Sequence, residues 1–169
     1  AEGDPQLDET AALIHEAYRK KRLAETSVAE AAADAALKPW SELAETYRVA
    51  NRHQADHIAV KLRAIGCEAA ASSGDALTIG DGELEMLAEM EHVRWMQDRR
   101  LDGWTQGPVR DKVRRITPYL VPYADLDEST KDNDRNAVSM IPALLGQMQP
   151  LRVIRRVPAP PPSARVSRG

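Results

Sequence analysis

The sequence predicts an all-α protein: two helical hairpins of one type, packed with pseudo-twofold symmetry and joined by long irregular connections. Three observations predict it. Apolar residues recur at helical spacing through several long windows. Glycine or proline punctuates those windows where a helix would stop. The chain also repeats its own pattern at a nearly fixed offset.

The first helix is expected over residues 7–23, where Leu7, Ala11, Ile14, Ala17 and Tyr18 fall on one side. Residues 25–37 are Ala-rich with scattered acids and continue or restart that helix. Pro39 resets the chain, and Ser41 is read as the N-cap of a helix running to residue 65. Leu43, Tyr47, Ala50, Ile58, Leu62 and Ile65 supply its apolar side, and Gly66 stands at its C-terminal stop. Small and polar residues, including Ser72, Ser73, Gly74 and Asp75, make 68–82 a loop. Asp81 is the expected cap of a helix over 82–101. Gly103, Gly107 and Pro108 prevent its continuation, and the chain up to residue 126, with Pro118 and Pro122, reads as an irregular, packed connection. A last helix is expected over 127–147 with a kink near Pro142. From Pro150 the chain turns basic and Pro-rich, lacks a buriable face, and is expected to be extended or disordered.

The repeat sits on top of these elements. Ala11, His15, Tyr18 and Arg22 reappear, with their spacing kept, as Ala88, His92, Trp95 and Arg99. Pro39-Trp40, Leu43, Asn51-Arg52, Ile58 and Leu62 reappear, again with their spacing kept, as Pro122-Tyr123, Leu126, Asp134-Arg135, Ile141 and Leu145. The two sets differ slightly in offset, because the connection inside the second copy is the longer one. The chain therefore divides into an N-terminal extension (1–6), a first repeat (7–67), a linker loop (68–82), a second repeat (83–149) and the Pro/Arg-rich tail (150–169). Neither hairpin would bury its apolar face alone, so the two are expected to pack together and leave a cleft at or beside their centre.

Composition narrows the function. A chain of 169 residues holds one ordinary domain with tails. A net charge of −3 and a pI near 5.8 argue against a general nucleic-acid binder but leave a local anion site open. The lone Cys67 excludes an intrachain disulfide framework and fits a reducing, cytoplasmic setting; a small buried hydrophobe is its simplest role. No apolar run approaches the length needed to cross a bilayer, and no signal peptide is visible. A start at Ala1 reads as a processed chain or an excised piece of a larger one.

With no Phe and only three Trp, the aromatics are informative. Trp95 and Trp104 flank a segment containing Arg99 and Gly103, with His92 one turn before. Aromatic plates beside cations and glycines suit a flat, anionic ligand. His92, Trp95 and Arg99 share one helical face, as do His15, Tyr18 and Arg22. Either set also reads as core aromatics with a satisfied histidine and a snorkelling arginine. Gly103 and Gly107 let backbone N–H groups approach an anion, or simply turn the chain after a helix. Asn51, Arg52, Asp56 and His57 form a polar run that could grip a ligand or tie helices through an Arg–Asp pair. His53 and His57 stand at i, i+4, but the residues between them lack the Glu of the metalloprotease pattern, so no metal is expected. No nucleophile elbow, P-loop or assignable acid pair is present, and no catalysis is expected.

These residues carry a resemblance. His92-Val93-Arg94-Trp95, Gly103-Trp104 with Gly107, Pro118 through Tyr123, Leu126, Lys131 and Asp134-Arg135 resemble the ryanodine-receptor repeat, or RyR domain. The first half resembles a diverged second copy without the Gly-Trp turn, and its run from Asn51 to Ile58 is similar to bacterial members. The resemblance implies an all-helical tandem module without catalysis. In the channels such a tandem can hold an adenine nucleotide among aromatic residues. Bacterial members occur beside Rossmann-type domains in systems that sense nucleotide-derived signals.

The expectation is thus a ligand-sensing module with no cofactor, coupled to a fused or associated effector or Rossmann-type domain. Trp95, Trp104 and either Trp40 or Tyr123 would stack a base. Arg52, Arg99 and Arg110 would meet phosphates, and His92 and Asn51 would hydrogen-bond base or ribose. The alternative is a protein–protein interaction or scaffold module with no small ligand. Nucleic-acid contact through the Arg-rich tail is the weakest reading.

Overall fold

A computed structural model of the chain describes residues 4–70, 74–148 and 152–155. It is mostly helical. Helix α1 (Pro5–Glu25) starts where Asp4 Oδ1 accepts from the Gln6 N–H at 3.0 Å and Pro5 occupies the first turn, which needs no donor there. It buries Thr10, Ala11, Ile14 and His15, a narrow stripe of one-turn spacing. The chain then restarts as a short α2 (Val28–Ala33) under a capping box between Ser27 and Glu30.

Ser41 is not a helix cap. Trp40–Glu42 forms a 3-10 turn, and α3 (Glu45–Ala64) begins only after it, behind Ala44, which offers no side-chain cap. The turn places Leu43 in the core, 3% exposed, before the helix starts. α3 ends at Gly66, whose φ of 70° a residue with a Cβ adopts only at a cost.

The loop expected at 68–82 begins as a strand. β1 (Cys67–Ala70) pairs antiparallel with β4 (Arg152–Arg155), Cys67 opposite Arg155 and Ala70 opposite Arg152. The expectation from Pro150 onward is an extended or disordered chain without a buriable face; residues 152–155 are extended, but as a paired strand with a buried residue, which corrects the latter part. Their buriable residue is Val153, which enters the main core, while Arg155 reaches back to Glu83 Oε2 at 2.8 Å and to the Ile65 carbonyl at 3.1 Å. The remainder of the predicted tail, 156–169, lies outside the described residues.

α4 (Asp81–Leu101) starts one residue before Gly82; the Glu83 carboxylate caps it by accepting from the Gly80 N–H at 3.2 Å. Two short parallel strands, β2 (Thr105–Gln106) and β3 (Ile116–Thr117), pin the long connection that follows. A second 3-10 turn, Tyr123–Asp125, leads into the last helix. That helix is interrupted at Met140, giving α5 (Glu128–Ser139) and α6 (Ile141–Gln147). Pro142 explains the break: it has no N–H to donate to the preceding turn, and its ring crowds that turn's carbonyl.

Side chains on α1 and α3 make contacts that those on α4, α5 and their connection repeat. His15 Nε2 lies 2.7 Å from the Lys38 carbonyl, and His92 Nε2 lies 2.7 Å from the Val121 carbonyl. The His15 and Trp40 rings are 6.1 Å apart, as are those of His92 and Tyr123. Arg52 bonds Asp8 and Glu45, while Arg135 bonds Glu85 and Glu128. Arg48 sits over Trp40 at 5.6 Å and Lys131 over Tyr123 at 5.3 Å.

One core runs through the molecule, from Ala11 and Ile14 on α1 through Ile58 and Leu62 on α3 to Leu87, Ala88, Val138 and Leu144. Lys61 of α3, only 2% exposed, crosses to Glu91 of α4 at 2.5 Å inside this interface. Glu91 also takes Arg94, which bonds Asp98 at 2.5 Å, and Asp98 faces His53 of α3 at 3.2 Å. A buried charge is tolerated only with a counter-charge and full hydrogen bonding, so this chain of ion pairs fixes how α3 meets α4.

Candidate functional site

The C-terminal half of α4 builds the site. Trp95 and Arg99 stand one turn apart and project from the same side of the helix. The helix ends at Leu101, and Gly103, with φ of 83°, turns the chain back. The Trp104 N–H then bonds the Arg99 carbonyl at 2.9 Å, returning the indole over the last turn. The Arg99 guanidinium carbon consequently lies 5.7 Å from the Trp95 ring centroid and 5.8 Å from that of Trp104.

The stack continues inward. His92 is parallel to Trp95 within 19°, with centroids 5.8 Å apart, and Tyr123 abuts the imidazole at a tilt. Lys131 closes the inner end over Tyr123. Tyr123, His92, Trp95, Arg99 and Trp104 thus form one column, from a buried end to a half-exposed one. Five of the sequence-predicted site residues meet here.

They do not have equal freedom. His92 is 2% exposed, and both ring nitrogens face acceptors: Nε2 the Val121 carbonyl at 2.7 Å, Nδ1 the Asp134 carboxylate at 3.4 Å. Burial works against its charged form, but these hydrogen bonds and the nearby carboxylate outweigh it and raise its pKa. With both ring nitrogens facing acceptors, His92 has no hydrogen-bonding edge left for a ligand. Tyr123 is buried too; its hydroxyl donates to Glu85 Oε1 at 2.7 Å. Burial and then that carboxylate push the phenol's pKa up. Arg135, followed by the Tyr123 hydroxyl, holds the Glu85 carboxyl down to about 2.

At the outer end, Trp95 and Trp104 are partly exposed, and Arg99 has no carboxylate partner among the described residues. Trp104 Nε1 donates to Asp102 at 3.2 Å. Arg110 is exposed on the loop between β2 and β3, unpaired among the described residues and outside the column.

The remaining predicted residues form a separate cluster on the first half. The Arg52 guanidinium is taken by Asp8 and Glu45. Asn51 Nδ2 donates to the Tyr47 carbonyl at 2.9 Å within its own helix. Trp40 lies between His15 and Arg48. No hydrogen bond, ion pair or ring contact joins these three to the Trp95–Trp104 column among the described residues.

Two residues that matter to the column were not singled out for it from the sequence. Asp134 orients His92, and Glu85 anchors Tyr123 and Arg135. The signal for Glu85 lay in the repeat: it follows Asp8 at the offset that separates His92 from His15, and it holds Arg135 as Asp8 holds Arg52.

No group of three or more His, Cys, Asp or Glu among the described residues is placed to hold a metal ion. No helix among them is long and apolar enough to cross a membrane. The outer end of the column offers π-surfaces and a cation without a carboxylate partner among the described residues, an arrangement suited to stacking and charge pairing.

Residues 82–148 match the family model of the RyR domain. The match spans α4 from Gly82, its folded-back connection, α5 and α6, and so contains the whole column; this part of the chain is similar to the RyR domain.

Proposed function

We propose that the chain is a non-catalytic tandem RyR module of the bacterial type that senses a nucleotide or nucleotide-derived anion. One observation carries the reading. At the open end of the column, the guanidinium of Arg99 rests against two indoles and is free of any carboxylate among the described residues. A base stacked on Trp95 or Trp104 would gain roughly 1–3 kcal/mol per indole. Arg99 would then pair with the phosphate, and Arg110 on the neighbouring loop would extend the positive field. His92 and Tyr123 serve this site as its rigid floor. His15 and Trp40 are the equivalent floor of the first copy, whose outer plate is Tyr18 in place of Trp95; Asn51 and Arg52 take the places of Asp134 and Arg135 beside it. The tandem arrangement is supported by the paired contacts of the two halves, which fall on the positions that the sequence repeat relates. Binding would fix the relative pose of the two hairpins and pass that to a fused or associated effector. The single Cys67 thiol suits a cytoplasmic protein.

The test is thermal stability against a panel of mono-, di- and cyclic nucleotides, dinucleotides and ADP-ribose derivatives. A ligand present at 100 times its Kd raises stability by about 2.7 kcal/mol. Trp95→Ala and Trp104→Ala should each abolish the shift while helix content stays nearly unchanged. A panel without any shift would sink the ligand reading. The second reading, an interaction module, is favoured by exposed apolar side chains on the same connection: Leu101, Val109 and Val113.

A further inference from the structure

We infer that one copy of this chain docks a rigid basic finger, residues 100–116, onto the acidic corner, residues 24–37, of a second copy. The inference does not depend on the nucleotide reading; Arg110 is the one side chain that figures in both, and neither variant below changes it.

The finger is preformed. Asp111 and Ile116 exchange backbone hydrogen bonds of 2.9 and 2.8 Å across its base. Asp111 Oδ1 accepts from the N–H groups of Val113 and Arg114, both at 3.0 Å. Arg115 takes a positive φ of 56° and bonds the Asp102 carbonyl at 2.5 Å. A loop tied down at this many points spends little entropy on docking. Yet what it presents is apolar: Leu101 is 86% exposed, Val109 73% and Val113 94%. Five cations against two carboxylates give the finger a charge of +3, and Arg100, Arg110 and Lys112 have no ion pair among the described residues.

The corner has the opposite character. Glu25, Glu30 and Asp34 give residues 24–37 a charge of −3; Glu25 pairs with Arg22 at 3.5 Å, while Glu30 and Asp34 have no ion pair among the described residues. Val28 at its centre is 89% exposed, and the capping box at Ser27 holds it in place. No hydrogen bond or ion pair connects finger and corner within the chain among the described residues. Each surface therefore offers outward the charge and apolar contact that the other lacks, and both are present at equal concentration in any solution of this protein. Charge of this pattern steers encounter and sets register. The contact joins unlike surfaces, so it adds copies head to tail rather than closing a symmetric dimer.

Sedimentation velocity of the full chain, at low and at high salt, tests this. The wild type should form species beyond a dimer at low salt that dissociate as salt rises. Two variants keep the caps intact: Lys112→Glu/Val113→Asp in the finger, and Glu25→Lys/Ala29→Lys/Ala32→Lys in the corner. Each should be monomeric with an unchanged melting temperature. Mixed in equal amounts they restore one intact finger and one intact corner, so a heterodimer should form and growth should stop there. A wild type that stays monomeric at low salt overturns the proposal. So does association that survives either variant, or a mixture that yields no heterodimer.

Discussion

Replacing Glu91 with Gln should be among the most damaging single changes in this chain. Lys61 and Glu91 are 2% and 3% exposed, and their 2.5 Å pair joins α3 to α4. The variant leaves the ammonium in the core facing a neutral amide and removes one partner of Arg94, which keeps Asp98. Breaking a buried pair from one side costs about 3–5 kcal/mol. For a chain of this size that is a fall in Tm of roughly 6–20 °C. Burial already lowers the pKa of Lys61 even with Glu91 present; without Glu91 the depression deepens. A depressed folded pKa makes stability rise with pH up to the unfolded value. The Glu91→Gln deficit should therefore shrink between neutral pH and about pH 10, as Lys61 sheds its proton in the unfolded chain as well. Lys61→Met/Glu91→Leu should recover much of the loss, since it leaves no unpaired charge at that contact. Urea denaturation of Lys61→Met, Glu91→Leu and the double, at neutral and high pH and beside Glu91→Gln, gives the full cycle. A loss below about 1 kcal/mol for Glu91→Gln, typical of a solvated pair, would refute the assignment of this contact as a buried bond between the two halves.

Other predictions concern the column and its supports. His92 has a raised folded pKa, so the stability it contributes is fully present below its unfolded value near 6.5 and is lost as pH rises through the folded one; His92→Gln should flatten that slope in thermal melts. His57 is shifted the opposite way, chiefly by burial, and works against folding as pH falls; His57→Gln should steepen the His92 signal. At acid pH, Glu85 contributes stability above its unfolded value near 4.3 that fades as pH falls toward about 2. Arg135→Gln should remove that part of the acid transition. Gly103→Ala, which forces a Cβ into a φ of 83°, should cost about 1–2 kcal/mol and loosen Trp104 from Arg99, read as a change in indole fluorescence.

Much of the architecture is legible along the chain because it follows local rules. The stripe Ala11, Ile14, His15 on α1, the stop at Gly66, the break before Pro142 and the turn at Gly103 depend only on near neighbours. Ser41 shows the limit of such rules: a good capping residue is passed over because the core takes Leu43 just after it. The column was legible in part. Trp95 and Arg99 share a face by helical arithmetic, but Trp104 joins them only through the backbone bond that returns it to the last turn.

Where helices form, where they end, and that one residue pattern occurs twice can all be read from the linear chain, since spacing, capping and chain stiffness are short-range properties. Folding in three dimensions settled the rest. It paired β1 with β4 across the whole second half of the chain, a contact no local pattern announces. It placed Lys61 in the core against Glu91, where its charge survives only because the partner arrives from another helix. It also gave His92 and Arg99, on one helical face, opposite fates. Asp134 and Val121 close around His92 and use both its nitrogens, while nothing acidic among the described residues reaches the charge of Arg99. Whether a polar side chain is committed or free depends on what surrounding elements bring to it, and that is settled only when the chain has folded.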